Sequence, residues 1–301
     1  MILTASEIEK HGLAFAGVER GRKGAKRLRE DFHAHYGSSP VVLADQWHDV
    51  CHLQELPLTK SEKSLKGLKR FFMAHFWLWA KPKNAAIFSS HFKICEDYCC
   101  GKPFWLWIER LALIAANVIT FDPQLLAADA DVMGFSIDGV DFGVWEMQHE
   151  HFPHDRKSMS HKLKRSALKY LFLLSVAFPK CLQILGPFKG GVGDNTILKD
   201  SGILEKLKEA KKACNVDRGF HLKDKELEAV LCFPDYMDEN FLHQFKSRVR
   251  LRGETFNSRL KFFRTLSEVF EYGEDKHELV IHAVAGIVQY QMDHGSPIFE
   301  A

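Results

Sequence analysis

The sequence predicts an α/β protein, an α+β mixed sheet flanked by helices and preceded by a helical region. Three observations lead there. Residues up to about 130 carry helical spacing, with apolar side chains recurring every three or four positions. From Asp131 onward, β-type runs and helical runs follow in the order β-β-β-α-β-α-β-α, the order of a mixed sheet with helices against it. Third, Phe245–Leu266 winds into a helix with two separate faces. Arg250, Glu254, Asn257 and Lys261 fall in a stripe about 60° wide, while Phe241, Phe245, Val249, Phe256, Leu260, Phe263 and Phe270 lie nearly opposite. Such a helix buries its aromatic side, here predicted against the sheet, and presents one carboxylate framed by cations. Arg252 breaks the apolar side, and Gly253 costs about 1 kcal/mol of helix propensity.

Taken in order, residues 1–58 give mixed helical signals broken at Gly37–Pro40 and at Pro57. Lys60–Trp79 is amphipathic through Leu65, Leu68, Phe72 and Phe76. Asn84–Phe92 and a following segment to Ala116 could form a helix-turn-helix, although Gly101 and Pro103 interrupt the second helix. Phe135–Trp145 reads as a strand interrupted at Asp138-Gly139, and Lys169–Phe178 and Cys181–Gly186 as strands about a turn at Pro179-Lys180. Thr196–Ala210 is helical, Lys211–Asp217 and Glu228–Phe233 are short strands, and His277–Met292 is the last helix. The predicted domains are a helical region, 1–130, and a mixed-sheet domain, 131–301.

With 46% hydrophobic residues in 301, the chain can bury a sizeable core. A net charge of only +2 excludes a general polyanion binder, so any such site must come from local clusters. These occur at Arg20–Arg29, Lys60–Arg70, Arg156–Lys169 and Lys246–Arg264. Seven cysteines with no CxxC pair suggest reduced thiols inside a cell. No leader is expected from Met1–Lys10, and the apolar runs are too short to span a bilayer. His91, Cys95 and Cys99 invite a zinc reading but lack a fourth ligand at usual spacing. His149, His151 and His154 share one loop and read as surface.

Three acids stand where a scaffold element ends or projects: Asp138 in the first strand, Asp217 after the fourth, Glu254 on the long helix. Carboxylates on rigid elements suit phosphodiester chemistry, which needs two divalent ions held close together. Mg²⁺ takes oxygen ligands and keeps several waters, so two or three carboxylates suffice.

The pieces SIDGVDF, SHKLKRSALKY, GPFKGGVGDNTILKDSG, VDRGF, FKSRVRLRGETFNSRLKFFRTL and VQYQMDHGSPIFE resemble the DDE-type superfamily endonucleases of the PIF/Harbinger transposase group. The resemblance runs from about Phe71 to Ala301. It places the family's first Asp on Asp138, its second on Asp217 and its Glu on Glu254, within an R-x₃-E-x₆-K arrangement formed by Arg250, Glu254 and Lys261. Thirty-six residues separate Asp217 from Glu254, within the family's spacing. Asp194 matches a further recurrent acid and counts as supporting, with Arg250, Asn257 and Lys261.

The resemblance implies a ribonuclease-H-like catalytic domain cutting DNA at transposon ends, with Asp138, Asp217 and Glu254 binding two Mg²⁺ (or Mn²⁺) ions. It implies a nuclear location and a separate Myb/SANT-like DNA-binding partner, and it allows a homo-oligomer. Lys162, Lys164 and Arg165 would hold the DNA backbone. The alternatives are a domesticated, non-catalytic DNA-binding or scaffold protein, and a nuclease acting on RNA or RNA–DNA hybrids.

Overall fold

The computed structural model describes residues 2–19, 21, 23–82, 85–93, 101–121, 134–145, 156–210, 213–217, 230–232, 235 and 239–299. Cys95, Cys99, His149, His151, His154 and the Arg218–Phe220 part of the DRGF motif lie outside them. The chain forms two compact units, each discontinuous in sequence.

The first unit comprises Met1–Val118, Leu260–Glu268 and Asp275–Ser296. Its helices are α1 (Ala5–Phe15), α2 (Ala25–Tyr36), α3 (Pro40–His52), α4 (Leu65–Ala80), α5 (Ala85–Phe92) and α6 (Lys102–Ala115). Polar side chains start them where the sequence offers caps. Thr4 and Glu7 close a capping box on α1, while Ser39 caps α3 ahead of Pro40. The core is aromatic, with Trp47 stacked on Trp107 and set edge-on to Phe71.

Residues 275–296 join this unit rather than the sheet domain assigned from sequence. Their helix (Glu274–Asp293, here α11) is buried at twelve positions from His277 to Met292. The Tyr290 hydroxyl donates to Asp49 on α3, and the Gln291 amide donates to the Gly37 carbonyl. A helix this apolar must be surrounded, and α3 and the end of α2 help to surround it.

Gly101 and Pro103 do not interrupt a helix; they begin α6, with Gly101 as its cap and Pro in the first turn. Beyond Lys102 and Pro103, no residue of α6 is exposed. The helix-turn-helix expectation joins α5 to α6 through residues 94–100, which lie outside the described residues.

Two histidines give this unit an acid limit. His75 is fully buried and neither ring nitrogen has a hydrogen-bond partner; burial pushes its pKa down to about 3, and that of His277 likewise. Between pH 6.5 and about 3 the unfolded chain binds more protons, so stability rises with pH. Their contribution is complete above the ordinary value of 6.5 and is lost as pH falls toward 3. Denaturant titrations should show the first unit losing several kcal/mol from pH 7 to 4, and His75→Phe should flatten that slope.

The second unit comprises Ile119–Arg259, Val269–Glu274 and Pro297–Ala301. Its strands are β1 (Phe135–Gly143), β2 (Met159–Ser160), β3 (Arg165–Ser175), β4 (Cys181–Lys189), β5 (Cys214–Asn215) and β6 (Leu231–Cys232). They form one mixed sheet in the order β2-β3-β1-β5-β6, with β4 also paired to β3. β1 runs antiparallel to β3 and parallel to β5, and β5 runs parallel to β6. β1 passes through Asp138-Gly139 without a break, pairing Asp138 with Phe172 and Gly139 with Leu171. The expected interruption is absent, because a strand tolerates glycine where another group approaches.

Helices α7 (Asp194–Asp200) and α8 (Ile203–Ala210) replace the single helix predicted there, the chain turning at Gly202 in the left-handed region. They cover one sheet face through a core including Ile137, Leu171, Leu173, Ile197, Leu204 and Leu207. The long helix, α9 (Asn240–Phe262), serves the other face: Phe256 is fully buried with its ring 5.3 Å from that of Phe172. Phe241 is exposed, contrary to the stripe. Phe263 belongs to the first unit. It lies past the end of α9, caps the short α10 (Arg264–Ser267) and packs edge-on to Trp79 in the first unit.

Candidate active site

β1 alternates its side chains between the two sheet faces. Ile137, Gly139 and Asp141 turn to the α7–α8 side, and Asp138 turns to α9. Gly253 explains how α9 comes so near. A β-carbon there would sit 3.1 Å from that of Asp138, so the residue that weakens the helix is the one that admits the carboxylate. Asn257, one turn on, donates to Asp138 Oδ2 at 2.7 Å, and the Gly139 amide donates to Oδ1 at 2.8 Å.

Asp217 reaches the same place from β5. Phe135 pairs with Cys214 and Ser136 with Asn215, so the parallel register carried on two residues sets Asp217 level with Asp138. The Asn215 amide donates to the Lys246 carbonyl at 2.8 Å, tying β5 to α9. Arg250 then spans two acids, 3.2 Å from Glu254 and 3.7 Å from Asp217. Both pairs are about half exposed, so they hold little energy and can be exchanged.

Burial raises the Asp138 carboxyl above the ordinary range. The Gly139 amide and the Lys162 charge lower it, while the charges of Asp217 and Glu254 raise it. Two acids distant in sequence thus act on Asp138.

The other sequence-derived residues divide. Lys162 and Lys164 lie on the exposed turn between β2 and β3, and Arg165 opens β3. Asp194 turns from the triad to the opposite sheet face, where it accepts from Lys169 Nζ at 2.7 Å. Lys261 is exposed and lies in the stretch belonging to the first unit. In the Arg20–Arg29 cluster, Lys23 and Arg27 are paired with Asp31.

Sequence reasoning missed the purpose of Arg252. It is buried and donates to the carbonyls of Ser175, Phe178 and Phe299, fastening α9 to the end of β3. A cation interrupting an apolar stripe was the available signal.

The donor set, three carboxylates that repel one another beside one guanidinium, fits a hard divalent cation chemically. Among the described residues, no three Asp, Glu, His or Cys side chains are gathered closely enough to hold an ion as they stand. Arg250 supplies the positive charge between Asp217 and Glu254.

No curated protein and no solved structure matches the chain significantly. A family model described as DDE superfamily endonuclease matches residues 137–289, just over half the chain, from the strand bearing Asp138 through most of α11. By that match the chain belongs to the DDE superfamily endonucleases.

Proposed function

We propose that the protein is a metal-dependent DNA endonuclease of the transposase type, in the PIF/Harbinger group, with Asp138, Asp217 and Glu254 as its catalytic carboxylates. The observation that carries the reading is the electrostatic meeting of these acids at Asp138, framed by Asn257 and Arg250. The strand order, with antiparallel β4-β3-β1 continued by parallel β1-β5-β6, supports a ribonuclease-H-like domain.

The three carboxylates would hold two Mg²⁺ or Mn²⁺ ions, which would polarise the attacking water and stabilise the leaving oxygen. Asn257 and the Gly139 amide orient Asp138, while Arg250 is free to move from its exposed acid partners to a strand phosphate. Lys162, Lys164 and Arg165 would hold the backbone. Cleavage leaves a 3′-OH, which in full transposition attacks target DNA. A nuclear location, a Myb/SANT-like partner and self-association belong to the same reading.

The test is nicking of supercoiled plasmid. Relaxation with Mg²⁺ or Mn²⁺ and none in chelator supports the proposal. DNA binding without relaxation would favour the domesticated scaffold, and preferential cutting of RNA–DNA hybrids would favour the third reading. Replacing Lys162, Lys164 and Arg165 together should lower the slope of log K against log salt by about 2–3 on duplex DNA. An unchanged slope would move the DNA path elsewhere.

A further inference from the structure

The segment Pro297–Phe299 belongs to the second unit and is tied to α9 by two arginines of that helix. Arg252 Nη1 donates to the Phe299 carbonyl at 3.1 Å, and Arg259 Nη2 donates to the Pro297 carbonyl at 2.9 Å. Ile298, between those two carbonyls, is buried. The arginines stand seven residues apart, which is about two turns or 10.5 Å along the helix. They bracket Gly253, Glu254 and Asn257, the residues of α9 that act on Asp138.

Arg252 couples this strap to the rest of the unit. Its guanidinium is buried, and Nη2 donates to the Ser175 carbonyl at 3.2 Å and to the Phe178 carbonyl at 2.8 Å. One cation thus joins α9, the end of β3 and the strap. A buried charge that loses an acceptor is penalised beyond the worth of an ordinary hydrogen bond. When the strap leaves, the guanidinium must turn toward water and draw α9 with it. The helix has little room for that. A β-carbon at 253 would stand 3.1 Å from that of Asp138, and the Asn257 amide donates to Asp138 over 2.7 Å. A misplacement of about 1 Å at a reacting centre can cost roughly 10²-fold in rate.

We propose that the Pro297–Phe299 strap, through Arg252 and Arg259, sets the position of α9 against Asp138. Both arginines are positioning residues, acting through Glu254 and Asn257. What this implies for cleavage rests on the endonuclease reading; the placement of Asn257 against Asp138 does not.

The experiment uses the full chain and two variants that release the strap. Ile298→Asp puts a charge at the buried strap residue, and Arg259→Ala removes one anchor. The first readout is the NMR signal of the Asn257 side-chain amide without metal, assigned by its loss in Asn257→Asp. In both variants it should move toward the position of an amide bonded to water. The second readout is plasmid nicking, where kcat should fall about tenfold or more while KM for DNA changes little. Arg259→Lys still reaches one carbonyl and should restore both readouts. Arg252→Lys should not match wild type, because one ammonium lacks the fork that serves two segments at once. A purely structural strap would lower the melting midpoint and leave the Asn257 signal and kcat of the folded protein unchanged. The proposal is overturned by that result, by a loss confined to KM, by failure of Arg259→Lys to restore, or by wild-type behaviour of Arg252→Lys. If Ile298→Asp does not fold, Arg259→Ala decides. If the wild type nicks nothing, the endonuclease reading fails and the Asn257 signal alone decides the strap.

Discussion

Asp138→Asn should lower metal-dependent DNA cleavage by roughly 10³-fold or more, because loss of the proposed metal ligand would remove several kcal/mol of transition-state stabilisation. The fold should not suffer. Asn at 138 still accepts from the Gly139 amide, and Asn257, whose Oδ1 lacks a hydrogen-bond partner, can turn its amide over to offer that oxygen. Removing a buried negative charge that Asp217 and Glu254 repel should leave the metal-free melting midpoint level or raised. Phe256→Ala should do the reverse. The ring is fully buried against Phe172, and its loss costs about 3–5 kcal/mol. Activity then falls only as α9 loosens. Plasmid nicking and paired melting curves check both. An Asp138→Asn protein that melted far below wild type while still cleaving would make Asp138 a structural residue.

Arg110→Ala should produce the largest loss of stability in the helical unit, about 3–5 kcal/mol, since it leaves a buried carboxylate unpaired. The Arg110 guanidinium contacts both oxygens of Glu62 at 3.0 and 3.1 Å and donates to the carbonyls of Leu56 and Pro57. Burial alone would raise the Glu62 carboxyl; Arg110 and Thr59 outweigh it and hold the pKa at about 2. Its folded value lies below the ordinary 4.5, so this contribution is present above pH 4.5 and lost as pH falls toward 2. Urea titrations at pH 7 and pH 3 should therefore show wild type losing more stability than Arg110→Ala. Equal losses would mean that the pair adds nothing to the acid dependence.

The periodicity of Phe245–Leu266 was enough to anticipate the helix, its carboxylate stripe and the burial of Phe256. It misplaced Phe241, which lies exposed in the first turn of α9, and it drew Phe263 onto a helix that ends at Phe262, although Phe263 is buried. The strand composition around Asp138 was legible too, but the passage of β1 through Asp138-Gly139 was not. A glycine pair-breaker in one dimension is a point of close approach in three: a β-carbon at 139 would come within 2.9 Å of Leu171.

What the sequence determined by itself was local and patterned: helices with their caps, the β-type runs, and acids whose order and spacing resemble one family. Composition also settled that a core could form. The tertiary structure decided what depends on partners distant in the chain. It gave Gly253 to Asp138, Arg252 to three backbone carbonyls, and Arg250 to two acids at once. It drew α11 into the helical unit and set Asp141 on the sheet face opposite Asp138 with an oxygen unpaired. Propensity and periodicity act over a few residues along the backbone, whereas burial, repulsion and hydrogen-bond satisfaction depend on which surfaces meet when the chain closes on itself.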